Sequence, residues 1–270
     1  MTTFLFWNLQ RKPLEKSIAK LARQHGVDVL MFAECDIPPV EVLLTLNQEV
    51  TLFHYADSIG CEKIKIFTRF PRDFIASIEE DERLTIRHLR LPGAENILLA
   101  VVHFPAKGSM SDSSQNAQSV ELSNSIKRAE QTVQHSKTVL VGDLNMNPFQ
   151  EGVVNANGLH GVMSRQIARQ RTRTVQSKEY PFFYNPMWSL LGDATPGPPA
   201  TYYRRNAEQT EFFWYMLDQV LIRPDLLDRF DPQDLQILDS DGEISFLSDQ
   251  GLPNKRRFSD HLPLLFKLDL

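Results

Sequence analysis

With 270 residues, 42% hydrophobic and 23% charged, the chain has enough apolar material for a substantial core, which excludes a fibrous or disordered polymer. A net charge of −5 excludes a chain that coats nucleic acid by its overall field, yet leaves a local basic patch or a bound cation free to hold phosphates. Two cysteines, Cys35 and Cys61, and no charged-then-apolar leader argue against a disulfide scaffold and for a cytoplasmic protein, and every apolar run falls short of the roughly 18 to 20 residues of a membrane span.

Thr3–Trp7 is a β-rich apolar run that stops at Asn8, and Leu14, Ile18, Leu21 and Ala22 follow at helical spacing. His25-Gly26 ends that helix, and Val27–Ala33 is a second apolar strand closing at Glu34, so the chain opens with a β-α-β unit. Val40–Leu46 reads as a further helix. Ile64–Phe67, Phe74–Ile78, Thr85–Leu91 and Ile97–His103 read as strands following one another through charged or Gly/Pro turns, which predicts antiparallel pairing. A Ser-rich loop from Lys107 to Asn116 leads into a helix over Ala117–His135, and Thr138–Val141 is a buried strand ending at Gly142-Asp143. Residues 162–200 are irregular, rich in arginine and aromatic residues and closed by the Pro/Gly cluster Thr195–Pro199, after which Trp214–Ile222 and His261–Leu268 resume strand character. No repeat and no composition shift marks a linker, so residues 1–270 are expected to form one domain.

Strands fix the backbone while their polar ends stay accessible, and layered α/β proteins place their sites there. The strand ends here carry Asn8, Glu34, His103, Asp143 with Asn145, and Asp260-His261, while Asp218 lies inside the aromatic strand. Asn145 is a donor suited to an oxyanion; the others offer oxygen or imidazole groups for a hard divalent cation or for proton transfer.

Trp7-Asn8, Phe32-Ala33-Glu34, Gly142-Asp143-Leu144-Asn145, Leu217-Asp218-Gln219 and Ser259-Asp260-His261 stand in the order of the motifs of the endonuclease/exonuclease/phosphatase superfamily, which the sequence resembles. Its members include deoxyribonuclease I and the apurinic endonucleases. Each string alone recurs by chance; all of them in order, spread over nearly the whole chain, are specific. The resemblance implies a deoxyribonuclease I-like four-layer α/β sandwich, two packed β-sheets flanked by helices. It implies that Asn8 and Glu34 are the principal ligands of a catalytic Mg²⁺, with Mn²⁺ as a substitute, completed by water, substrate phosphate and Asp260. Asp143 then orients or deprotonates the attacking water, Asn145 donates to the developing phosphorane oxygen, and His261 contacts the scissile phosphate with Asp218 fixing its tautomer. His103 matches a further phosphate-contacting histidine. An extended backbone puts Asp143 and Asn145 on one side. Leu9-Gln10-Arg11 lacks the acidic residue that some members place two positions after the asparagine, which argues against a second metal.

Two features stay open. Arg165, Arg169, Arg171 and Arg173 form either a solvated basic face or a substrate clamp. Tyr180, Phe182, Phe183, Tyr184, Trp188, Tyr202 and Tyr203 either stack on bases or pack loops onto the core. The expected function is Mg²⁺-dependent hydrolysis of phosphate esters by in-line attack of water, foremost a phosphodiesterase with nucleic acid as its substrate and no membrane partner. The alternatives are a hydrolase of a small phosphorylated metabolite, nucleotide or inositol phosphate, and a binding protein that keeps the fold without catalysis. The presence of Glu34, Asp143, Asn145, Asp218 and His261 counts against the last.

Overall fold

A computed structural model describes residues 1–48, 52–106 and 111–270. One six-stranded sheet has the order β16 (Gln236–Ile237), β17 (Leu264–Leu268), β1 (Thr2–Asn8), β2 (Val29–Ala33), β4 (Ile64–Thr68), β3 (His54–Ala56). A seven-stranded sheet has the order β5 (Ile75–Asp81), β6 (Leu84–Leu89), β7 (Ile97–His103), β8 (Thr138–Asp143), β15 (Asp218–Ile222), β12 (Phe183–Tyr184), β9 (Gly161–Val162). Two small hairpins, β10 (Thr172–Val175) with β11 (Lys178–Pro181) and β13 (Tyr202–Tyr203) with β14 (Trp214–Tyr215), stand apart from the sheets. The helices are α1 (Glu15–Gln24), α2 (Pro39–Leu46) and α3 (Asp112–Val133), with the single turns α4 (Glu151–Val154) and α5 (Arg165–Ala168).

The opening β-α-β unit forms as expected: β1 and β2 run parallel, joined by α1. Every residue of both strands is buried, because parallel strands in mid-sheet are covered on both faces, and this is why they read as continuous apolar runs. Phe4, Phe6, Val29 and Met31 face the other sheet and pack with Leu99, Val101, Val139, Val141 and Val220. Leu5, Trp7, Leu30 and Phe32 point the opposite way onto Ile18 and Leu21 of α1 and Val42 of α2. On the far side Leu98, Ala100 and Leu140 pack on Leu122, Ile126 and Ala129 of α3. Helix, sheet, sheet and helix make the four-layer sandwich. Each fully buried Leu, Val or Phe contributes about 1.5–3 kcal/mol, so the apolar layers hold the strand ends in place and do not depend on the polar groups found there.

Several segments depart from the sequence reading: of the four successive strands expected to pair, β4 lies in one sheet and β5, β6 and β7 in the other. Helix α3 begins at Asp112, ahead of Ala117, because Ser111 caps it with Oγ accepting the Ser114 N–H at 3.2 Å; Lys107–Met110 of the Ser-rich loop lie outside the described residues. Trp214–Ile222 is two strands in different sheets, broken at Met216-Leu217, where Asn147 Oδ1 takes the Met216 N–H at 2.9 Å. Asp218 is therefore the first residue of β15, at its accessible end, not interior to a strand. The last strand starts at Leu264, leaving Asp260-His261 in the turn before it. Among the dense aromatics, Phe182, Phe183 and Tyr184 are core, whereas Tyr180, Trp188, Tyr202 and Tyr203 are half-buried. Among the described residues no helix is long and apolar enough to cross a membrane.

Gly142 sets how closely β7 and β8 approach. Its φ is 153°, and a Cβ there would lie 1.9 Å from the Val102 carbonyl oxygen. Backbone cannot swing aside as a side chain does, so Gly142→Ala should destabilise the fold by about 1–3 kcal/mol. A lower denaturant midpoint with an unchanged slope is the expected reading, and a wild-type midpoint would refute the close approach.

Candidate active site

Strand register assembles the site. Asn8 pairs with Ala33, which puts Asn8 and Glu34 on adjacent strand ends. In the other sheet Asp143 pairs with both His103 and Asp218. The two edges meet over Asp143, which is 1% exposed. Its Oδ2 accepts from Asn8 Nδ2 at 3.0 Å and its Oδ1 from the Asn145 backbone N–H at 2.9 Å. His103 Nε2 and His261 Nε2 approach Oδ2 at 3.8 and 3.9 Å.

His261 is fixed from behind. Its Nδ1 lies 2.8 Å from Oδ2 of the fully buried Asp218, whose own N–H donates to Thr201 Oγ1. Ser259 Oγ accepts the His261 N–H at 3.0 Å and donates to the Asn8 carbonyl at 2.6 Å, tying the last turn to β1, and Trp7 Nε1 donates to the His261 carbonyl. Burial alone would lower the His261 imidazole, but Asp218 and Asp143 outweigh it and hold the ring above its ordinary value, protonated at neutral pH. Burial, ahead of every other influence, pushes Asp143 up, to about 7, against the hydrogen bonds from Asn145 and Asn8. His103 is pushed down to about 4, first by burial and then by Arg83, so it is neutral, and its Nε2 sits 3.4 Å from Glu34 Oε1.

The extended-backbone argument for Asp143 and Asn145 does not hold. The chain turns at once after β8: Asn145 has φ of 49°, and Asp143 Oδ1 closes an Asx turn on the Asn145 N–H. The two side chains share the cleft because of that turn, and Asn145 Nδ2 uses one hydrogen on the Phe104 carbonyl at 2.7 Å, leaving the other for a ligand. Gln10 and Glu34 are also left-handed, each with φ of 47°. Such backbone strain, of order 1–3 kcal/mol per residue, collects where function fixes the chain.

An open cleft of about 310 Å³ covers these groups, and Asn8, Glu34, Asp143, Asn145, Asp260 and His261 all line it. Asp260 is raised by burial and also by nearby Glu34 and Asp218. Three lining carboxylates therefore share a small space with one charged imidazole. That excess of oxygen ligands, together with the amide oxygen of Asn8, suits a hard divalent cation, which Glu34, Asp260 and Asn8 could hold. Asp143, Asp218 and His261 also lie within ligand distance of one another, but Asp218 is engaged by the imidazole.

The four arginines are not brought to this site. Arg165 donates to the Leu227 carbonyl, Arg171 pairs with Asp225, Arg169 pairs with Asp228 at 2.6 Å, and Arg173 is exposed on β10. Asp218 opens β15 at the cleft and Ile222 closes it about 13 Å away, with Asp225 and Asp228 in the turn beyond. Arg169 and Arg171 are matched by local carboxylates at the opposite end of the sheet, and none of the four arginines lines the cleft, which counts against the clamp reading. Arg169→Gln combined with Arg171→Gln should leave the salt dependence of oligonucleotide binding unchanged; a slope lowered by about one unit for each phosphate no longer held would restore the clamp.

Sequence reasoning passes over several residues that line the cleft or support it from behind. Gln10 donates from Nε2 to Asp260 Oδ2 at 2.8 Å, in the place where an auxiliary acid would stand. Arg204 and Tyr215 come from a segment without a recognisable motif, and Ser259 is visible only as part of its motif.

Face-to-face sheets flanked by helices, with carboxylates, amides and two imidazoles gathered where strand ends of both sheets meet, define a deoxyribonuclease I-like phosphoesterase architecture. The sequence profile of the Endonuclease/Exonuclease/phosphatase family matches residues 5–261, and the chain belongs to that family, whose enzymes are hydrolases of phosphate esters that depend on divalent metal ions. Similar solved structures include an AP endonuclease from Archaeoglobus fulgidus, with a TM-score of 0.58, 14% identity and 100% of both chains covered. A 3′ phosphatase, NExo, from Neisseria bound to a product DNA hairpin has a TM-score of 0.60 at 14% identity, again covering 100% of both chains. TDP2 from C. elegans has a TM-score of 0.58 at 14% identity and covers 99% of this chain and 74% of its own. At these identities the likeness is one of fold. No curated protein sequence matches the chain.

Proposed function

We propose that the chain is a Mg²⁺-dependent phosphodiesterase that hydrolyses nucleic acid, working as one catalytic domain. The observation that carries this reading is Asp143, buried between two imidazoles and held by Asn8 and Asn145, at the floor of a cleft lined by Glu34 and Asp260. Relatives in fold named as an AP endonuclease and as a 3′ phosphatase bound to a DNA hairpin support a nucleic-acid substrate.

Asn8, Glu34 and Asp260 would hold the cation, which would neutralise and polarise a phosphate oxygen. Asp143 accepts the proton of a water as its oxygen attacks phosphorus; the ester bond on the opposite side breaks, and the leaving oxygen departs with the bonding electrons and takes up a proton from solvent. Asn8 and Asn145 keep the Asp143 carboxylate aimed at that water. Protonated His261, steadied by Asp218 at Nδ1, turns Nε2–H toward the phosphate and meets the charge that develops on it. The remaining amide hydrogen of Asn145 serves the same oxygen, and neutral His103 lies within reach of the phosphate.

A panel of bis(p-nitrophenyl) phosphate, p-nitrophenyl phosphate, and single-stranded and duplex oligonucleotides, each with Mg²⁺ or Mn²⁺, tests this. Diesters should be hydrolysed, with oligonucleotides preferred. Hydrolysis of the monoester alone would replace the reading with a phosphatase of small metabolites.

A further inference from the structure

One wall of the cleft takes no part in the hydrolytic step. Arg204, directly after β13, lines the cleft and is the one lysine or arginine among its described lining residues. Its guanidinium lies 5.0 Å from the Tyr215 ring centroid, and its Nη2 donates to the Tyr215 hydroxyl at 3.1 Å. That hydroxyl donates in turn to Glu211, whose oxygens also accept the N–H groups of Phe213 and Asn206 at 3.1 Å. Glu211 is thus occupied as an anchor. It also forms an ion pair with Arg204 Nε at 3.8 Å, too long for a hydrogen bond, and that buried Nε has no hydrogen-bond partner among the described residues.

The anchor is held at the cost of strain: Phe213, a bulky residue, has φ of 63°, a conformation that costs about 1–3 kcal/mol. An ordinary rim ion pair is worth too little to justify such a turn. What the turn achieves is a guanidinium held against the Tyr215 ring and its hydroxyl in the wall of an anionic cleft, a pre-positioned cation for phosphate. The Tyr202 ring separates it from His261, lying 4.7 Å from the imidazole and 6.4 Å from Tyr215. Arg204 therefore serves a different phosphate from the one His261 meets.

The same wall continues outward in bare aromatic surface. Phe212 packs edge-on against Tyr215 at 5.8 Å and Phe149 against Phe212 at 5.6 Å, yet they are 54% and 39% exposed. Exposed rings beside a guanidinium match the two halves of a nucleotide, since any base stacks on an aromatic face without sequence preference.

We infer that Arg204 and the Phe212–Phe149 pair form a second nucleotide subsite: the guanidinium takes the phosphate next to the one being cut, and the rings take an unpaired base. This rests on the hydrolase reading and sharpens it, because it assigns as substrate a strand with an unpaired nucleotide beside the cut, in preference to an isolated phosphate ester.

Arg204→Gln and Phe212→Ala are compared with the wild type on a single-stranded oligonucleotide and on bis(p-nitrophenyl) phosphate, which offers one phosphate only. Arg204→Gln should lower the ratio of kcat/KM between the two substrates tenfold or more, chiefly through KM, and reduce the slope of log affinity against log salt by about 0.7, the share of one phosphate on a single strand. Phe212→Ala should lower the ratio about fivefold or more and keep the slope, because a stacked base releases no counterions. Binding is read by fluorescence anisotropy in a His261→Ala background. An unchanged ratio, or an unchanged slope, in Arg204→Gln overturns the phosphate subsite; an unchanged ratio in Phe212→Ala overturns the stacking platform. If the wild type hydrolyses neither substrate, the hydrolase reading fails, and the anisotropy slopes still decide the role of Arg204.

Discussion

Replacing His261 by alanine should lower kcat on a phosphodiester by about 10² or more while the protein stays folded. The ring sits among Asp218, Asp143 and Asp260, carboxylates that hold it protonated, so it would meet developing phosphate charge with a positive charge from a largely buried position. Alanine leaves Asp218 buried without its partner, so His261→Gln serves as a companion that fills the space and returns a neutral hydrogen-bonding group. Both variants should lose kcat, the alanine form with the larger loss of stability. Asp218→Asn should be milder, because the amide oxygen can still accept from Nδ1 while the charge that raises the imidazole is gone. Wild-type kcat in folded His261→Ala would mean that the Asp218–His261 pair had been assigned the wrong task.

Glu34 should control the metal. Excess EDTA should abolish turnover and added Mg²⁺ or Mn²⁺ restore it. Glu34→Gln should weaken metal binding, followed by titration calorimetry or by the Mn²⁺ resonance signal, by on the order of tenfold or more, the least expected for a residue that bonds the ion when outer partners alone are worth that much. The variant keeps its size and its approach to His103 Nε2, so a loss of affinity reads the missing charge and not a rearranged cleft. Full activity in EDTA, or unchanged affinity in Glu34→Gln, would remove Glu34 from this role.

The sequence is most legible where the chain is most constrained. The buried runs Thr2–Asn8 and Val29–Ala33 announce strands because mid-sheet positions demand apolar side chains on both faces, and the polar residues that end them follow from the same pattern. The order of motifs then points to the sandwich and to most of the cleft floor. Asp143 and Asn145 do share the cleft, but an Asx turn and not strand alternation joins them. Whether Arg165, Arg169 and Arg171 face the site is not legible in the sequence, because their partners Leu227, Asp228 and Asp225 lie more than fifty residues away, a distance over which composition is silent. Arg204 escapes notice for the opposite reason: its significance depends on Glu211, Tyr215 and a strained Phe213 meeting in space, and none of these carries a motif.

The most direct test of the hydrolytic role of Asp143 is a single turnover of an oligonucleotide in oxygen-18 water with Mg²⁺ and the enzyme in excess. If Asp143 delivers a water molecule, the first product formed carries one heavy oxygen on its phosphate. Unlabelled phosphate in that first turnover, with the heavy oxygen arriving later on a protein carboxylate, would show that Asp143 attacks phosphorus itself and would contradict the role assigned to it.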